Sequence, residues 1–192
     1  MRLAQVTAGV VVAVAVLSGC SATEPANETL PAPSATSTAA SETLPPLGPA
    51  NFPVPAEARE KTPEGALAFG RYYMTLGDHI GNTDLDATPL LELSRDCSLC
   101  QQIARSFEQD RAAGYSYSHS SFTFNEYGLP TVTDDRAELG FVYSQSPYSV
   151  VDRSGKLVPA RSGQATGQLQ SGMLLRWDSA LRTWLVTSLT VG

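Results

Sequence analysis

The chain has 192 residues and a net charge of −6, and its 13 Lys and Arg side chains form no cluster. That balance excludes a surface built to track nucleic-acid phosphates. Its 3 Cys and 2 His offer no second ligand pair beside Cys97 and Cys100, which argues against a structural zinc site.

The chain opens with MRLAQVTAGVVVAVAVLSGC. One basic residue, Arg2, precedes an apolar run from Val6 to Leu17. The run is too short for a spanning helix, which needs about 20 residues, and it fits the h-region of an export signal. Leu17-Ser18-Gly19-Cys20 resembles the bacterial lipobox. That resemblance implies cleavage before Cys20 and attachment of a diacylglycerol to its thiol. The partner it predicts is membrane lipid, at the extracytoplasmic face of the cell membrane. The alternatives are an ordinary signal peptide with a chance cysteine, and a transmembrane anchor.

From Ser21 to about Asn51 the chain is rich in Ser, Thr, Ala, Pro and Glu and nearly free of bulky apolar residues. Such a segment buries too little surface to offset the entropy of ordering, so it reads as a disordered tether. Extended, about 30 residues reach on the order of 90 Å. The expected organisation is a signal peptide over 1–19, an acylated Cys20 with its linker over 20–51, and one domain over 52–192.

That domain begins with helical signals. Thr62 is placed to cap, Pro63 suits the first helical position, and Glu64 favours the positive helix end. Ala66, Phe69, Tyr73, Leu76 and Ile80 then recur at helical spacing and mark one buried face, with Gly81-Asn82 as the stop. Leu85, Leu90, Leu91 and Leu93 supply apolar contacts from a short helix or turn. A third helix is expected from Asp96 or Cys97 to Ala113. Its inner face carries Cys97, Cys100, Ile103 or Ala104, and Phe107.

Beyond Gly114 the period falls to two. Tyr115, Tyr117 and His119 share one side, and a bulge near Ser120-Ser121 would bring Phe122 and Phe124 to the same face. Ala137, Leu139, Phe141 and Tyr143 alternate, as do Leu169, Ser171, Met173, Leu175 and Trp177. Thr183 to Val191 reads as the last strand. Helices followed by four to six antiparallel strands predict an α+β fold with helices packed on one face of a curved sheet.

This element order, ending in the hairpin MLLRWDSALRTWLVTSLTV, resembles the nuclear-transport-factor-2-like (cystatin-like) cone fold. The lipobox, the Pro/Ser/Thr tether, FPVPAEAREKTPEGALAFGRYY and the Cys-x-x-Cys pair together resemble a family of actinobacterial lipoproteins of unknown function. The cone resemblance implies a pocket on the inner face of the sheet. Some relatives place an Asp, His or Tyr there for proton transfer.

The candidate chemistry is thin. Cys97 and Cys100 are a disulfide pair in an exported chain, with thiol exchange as the redox alternative. So short a loop contributes roughly 2 kcal/mol in the loop-closure model. Tyr115, Tyr117 and His119 are the candidate pocket groups, with Asp134-Asp135 on a nearby loop. Against this stands packing of the tyrosines on the helices, with His119 at an edge. Asp78-His79 reads as a helix terminator, and Trp177 and Trp184 as contacts or core. No cofactor is expected. The leading expectation is a tethered domain that binds a small ligand or an envelope protein. A pocket-based acid/base enzyme and a purely structural envelope protein are the alternatives.

Overall fold

A computed structural model describes residues 44–118 and 120–192. The expected signal peptide, Cys20 and most of the expected tether lie outside the described residues. The described chain joins the domain before Phe52. Leu47 packs on the core, its carbonyl accepts from Val54 N at 2.8 Å, and Arg59 Nη1 donates to Pro45 O at 2.6 Å.

Helix α1 runs Pro63–Gly81, opened by Thr62, whose hydroxyl accepts from Gly65 N at 3.0 Å. This satisfies one of the backbone donors that a helix start leaves free. Ala66, Phe69, Tyr73, Leu76 and Ile80 are all buried, as their spacing predicts. Helix α2 is a single turn, Thr88–Glu92. Leu85, Leu90 and Leu93 are buried beside it, whereas Leu91 is 39 % exposed. Helix α3 spans Ser98–Ala113 and stops at Gly114 in the left-handed region, φ 74°. Its cap is Cys97, not Asp96: the Cys97 sulfur accepts from Cys100 N at 3.2 Å, while Asp96 sits at φ 56°.

Seven strands follow among the described residues: β1 Ser116–Tyr117, β2 Phe122–Glu126, β3 Thr131–Thr133, β4 Arg136–Gln145, β5 Val150–Val151, β6 Leu169–Asp178 and β7 Thr183–Val191. The main antiparallel sheet has the order β2-β4-β6-β7, and β3 also pairs with β4. Strands β2 and β3 lie end to end along one edge of β4. Glu126 pairs with Phe141 and Thr131 with Glu138, so 127–130 stand opposite only 139–140. The extra residues, with Gly128 and Pro130 among them, split one long strand into two. On the far edge, the link between α2 and α3 covers β7: Arg95 N donates to Val186 O at 2.8 Å and Val186 N to Leu93 O at 3.0 Å.

One expectation is corrected. The segment from Tyr115 to Phe124 is not one bulged strand. Strand β1 pairs only with β5 in a separate ribbon, while β2 belongs to the main sheet. The switch is held by α1, because Ser120 N donates to the Asn82 side chain at 3.2 Å and pulls the chain out of the ribbon.

The helices pack on one face of the main sheet around Phe69, Leu76, Phe141, Met173 and Trp184. Gly70 permits the closest approach: a Cβ there would stand 2.5 Å from Leu139 Cδ2. Trp184 is fully buried and its indole N–H donates to Glu60 O at 2.9 Å, so its polar atom is satisfied. No described helix is long and apolar enough to cross a membrane.

Candidate functional site

The apolar face of the sheet is not covered along its whole length. Toward the end of α1 a cavity of about 410 Å³ opens between α1, α3 and the strands. Helix α1 contributes Tyr73, Met74, Gly77, Asp78 and Gly81. Helix α3 contributes Leu99, Cys100, Ile103, Ser106 and Phe107. Phe122, Tyr143, Leu169, Leu189 and Val191 form the sheet wall, and Tyr117 and Tyr148 enter from the ribbon side. Gly77 matters here because a Cβ on it would meet nothing within 4 Å. A glycine inside a helix costs about 1 kcal/mol relative to alanine, and here it leaves space that no neighbour fills.

The rings around the cavity are ordered in pairs. Tyr117 stacks on Tyr148 at 5.4 Å between centroids and meets the edge of Phe107 at 6.1 Å. Phe122 stacks on Tyr143 at 5.8 Å.

Behind Tyr117 lies a buried polar cluster. Asp110, on α3, is 2 % exposed and accepts from the Tyr117 hydroxyl and, at 2.7 Å, from Arg161 Nη2. The same Arg161 nitrogen donates to Ser106 Oγ at 2.7 Å. Arg161 belongs to the β5–β6 connection, so the cluster ties that connection to α3. Its bond to Asp110 holds the guanidinium above its ordinary pKa. Burial first, and then the bond to Asp110, push the Tyr117 phenol upward. Burial, reinforced by the charge of Asp78, pushes Tyr143 up to about 12. Both phenols therefore keep their protons at neutral pH, which makes them hydrogen-bond donors and unsuited to act as bases. The Tyr143 hydroxyl donates to Gln145 Oε1 at 3.0 Å. Asp78 Oδ1 accepts from Ser120 Oγ at 3.2 Å.

Of the candidate acid/base groups among the described residues, Tyr117 lines the cavity and Tyr115, Asp134 and Asp135 do not. Tyr115 precedes β1, and its N–H donates to Asp110 O at 2.9 Å. His119 lies outside the described residues. Asp134 and Asp135 form the β3–β4 turn, away from the cavity lining, with Asp134 at φ 54°. Arg176 Nε donates to Asp135 at 2.9 Å and holds its carboxyl below the usual range. The carboxylate at the cavity is instead Asp78, which the sequence reading assigned to helix termination. The signal was present: Asp78 sits one residue from Gly77 and two from Leu76 and Ile80, at the border of the buried face. His79 stacks on Phe52 at 4.6 Å. Trp184 is core, edge-on to Trp177 at 5.3 Å.

Cys97 and Cys100 form a disulfide with a Cα–Cα distance of 5.2 Å. Both are 1 % exposed, which closes them to a protein-sized thiol and leaves the bond as a clip on the first turn of α3. Among the described residues no three His, Cys, Asp or Glu side chains come together to hold a metal ion.

No known family model matches the chain, and no curated protein matches it in sequence. Solved structures do. The intermembrane-space region of the chloroplast protein ARC6 is similar over 68 % of this chain and 95 % of its own, with 13 % identity and a TM-score of 0.52. A nuclear-transport-factor-2-like superfamily protein from Salmonella enterica serovar Typhimurium covers 67 % of this chain and 92 % of its own, at 13 % identity and a TM-score of 0.37. A conserved protein from Planctomyces limnophilus covers 67 % and 98 %, at 14 % identity and 0.40. At such identities the likeness is one of fold alone. The domain is α+β, with its helices packed on an antiparallel sheet, and its structural neighbours include nuclear-transport-factor-2-like proteins.

Proposed function

We propose that the protein is an exported lipoprotein, held at the outer face of the membrane through Cys20, whose domain binds a small and mostly apolar ligand. The cavity carries this reading. Its volume of about 410 Å³ falls in the range of small-molecule sites, and its wall is mainly apolar and aromatic with a few polar groups. The anchor rests on the lipobox and the family resemblance of the N-terminal motifs. Neither phenol serves as a base, because both hold their protons, and Asp110 is committed to Arg161 and Tyr117; Asp78 is the carboxylate left at the cavity for an acid/base reading.

Two experiments test the two halves of this reading. Cys20→Ala is expected to leave the protein unprocessed or released from membranes; normal acylation and retention of that variant sink the anchor. For the cavity, the full chain is titrated with the neutral apolar dye N-phenyl-1-naphthylamine, whose fluorescence rises on entering an apolar site. Gly77→Leu, which points a side chain into open space, is expected to abolish the rise while raising thermal stability. Equal dye binding by wild type and Gly77→Leu places the dye elsewhere and removes the cavity as the site.

A further inference from the structure

Among the described residues, the cavity carries one formal charge without a counter-charge. Asp78 lines it, and among the described residues no Lys, Arg or His side chain does. Asp78 enters no ion pair among the described residues, and its one side-chain hydrogen bond is the 3.2 Å contact from Ser120 Oγ to Oδ1. Asp110 differs in both respects: it is outside the cavity lining and is neutralised by Arg161. Asp78 is half-buried, and a carboxylate partly withdrawn from bulk water costs free energy to the extent that donors or positive charge do not meet it.

The surroundings of Asp78 favour the same sign of ligand. Phe107, Tyr117, Phe122, Tyr143 and Tyr148 all line the cavity, and four of them stand in two stacked pairs. Ring faces carry negative quadrupole potential and attract cations, most of all where water is scarce. The charge of Asp78 is felt across the site, since it helps hold the Tyr143 phenol in its protonated form. An anionic ligand would meet a like charge, with no basic side chain among the described residues to offset it. The remaining wall, with Met74, Ile103 and Leu169, suits an alkyl or aryl body.

We infer that the ligand is a cation on an apolar body, an amine or quaternary ammonium whose head lies between Asp78 and the aromatic rings. The inference rests on the cavity being a binding site and adds the charge of what it binds.

Isothermal titration calorimetry of the full chain with three probes of one chain length tests it: octyltrimethylammonium, 1-octanol and octanoate. The cation is expected to bind at least about tenfold more tightly than the alcohol, and octanoate to bind most weakly. Asp78→Asn keeps an oxygen for Ser120 and removes the charge, so it is expected to bring the cation down to the level of the alcohol. Equal binding of cation and alcohol by the wild type overturns the inference and leaves the apolar cavity standing. So does a preference that survives in Asp78→Asn. Failure of all three probes to bind removes the cavity reading together with the inference. The wild-type ranking decides the question without any variant, so poor folding of Asp78→Asn leaves the test intact.

Discussion

One half of the main sheet is a filled core and the other half is the wall of a cavity, although the same strands build both. On β4, Ala137, Leu139 and Phe141 are buried, while Tyr143 and Gln145 on the same face are half-exposed. On β6, Met173 and Leu175 are buried and Leu169 is not. The strand pattern is continuous, so the difference comes from the helix above it. At Gly70 the α1 backbone comes close enough to touch Leu139, and the space is closed. Two turns later Gly77 again presents no side chain, but there the space stays open. A glycine in a helix face thus has two outcomes, close packing or a void. The distance to the opposing layer decides between them.

The largest test of this contrast sets one side chain from each half against the other. Trp184→Ala removes a fully buried indole and is expected to cost about 3–5 kcal/mol in urea denaturation. Leu169→Ala, at the cavity wall, is expected to cost only about 1 kcal/mol. Equal costs would mean that the open half is packed as tightly as the filled one.

The open half is braced by polar contacts where the filled half is braced by apolar ones. Asp110→Ala is expected to cost about 3 kcal/mol, because it strands the Tyr117 hydroxyl and the Arg161 charge together. It should also free the β5–β6 connection, which hydrogen exchange around Arg161 would register. Unchanged exchange there would show that the cluster does not hold that connection.

The disulfide comes next in size. Cys97→Ser/Cys100→Ser is expected to lose about 2 kcal/mol, and to weaken dye binding, since Leu99 and Cys100 line the cavity. Alkylation of the full chain without reductant should leave both cysteines unmodified; labelling of both would show that the bond does not form.

The smallest effect at neutral pH belongs to the phenols. Burial pushes Tyr72, Tyr73 and Tyr143 up to about 12. A free phenol ionises near about 10, so the unfolded chain loses its protons first. The stability they contribute is whole below about pH 10 and is lost as pH rises toward 12. Urea midpoints should be flat from pH 7 to 9 and fall above pH 10, in step with phenolate absorbance at 295 nm. A fall already complete by pH 9 would assign the loss to other groups.

Much of the fold was legible because local rules and global packing agree. The spacing from Ala66 to Ile80 marks the buried face of α1, Thr62 caps it, and Gly114 ends α3 in the left-handed conformation that glycine tolerates. Alternation found β4, β6 and β7. Strand β3 was not found, since Thr131–Thr133 is too short to show a period and Pro130 precedes it. Strand β1 falls within the alternation that begins at Tyr115, but its pairing with β5 in a separate ribbon was not found, because two residues a side do not specify a partner.

The site was less legible. Tyr117, read as a candidate pocket group, lines the cavity, and Asp78, read as a helix terminator, lines it as well while its carbonyl accepts from the Asn82 cap. A residue at the border of a helix face has two environments open to it, and periodicity does not say which layer stands opposite. The sequence by itself determined the helices, the long strands and a Cys97–Cys100 pair within bonding reach. These depend on residues near one another in the chain. Only the tertiary structure decided that α1 closes on the sheet at one end and stands off at the other. That outcome depends on how far apart two layers come to rest, a distance set jointly by side chains more than 60 residues apart in the chain, as Gly70 and Leu139 are.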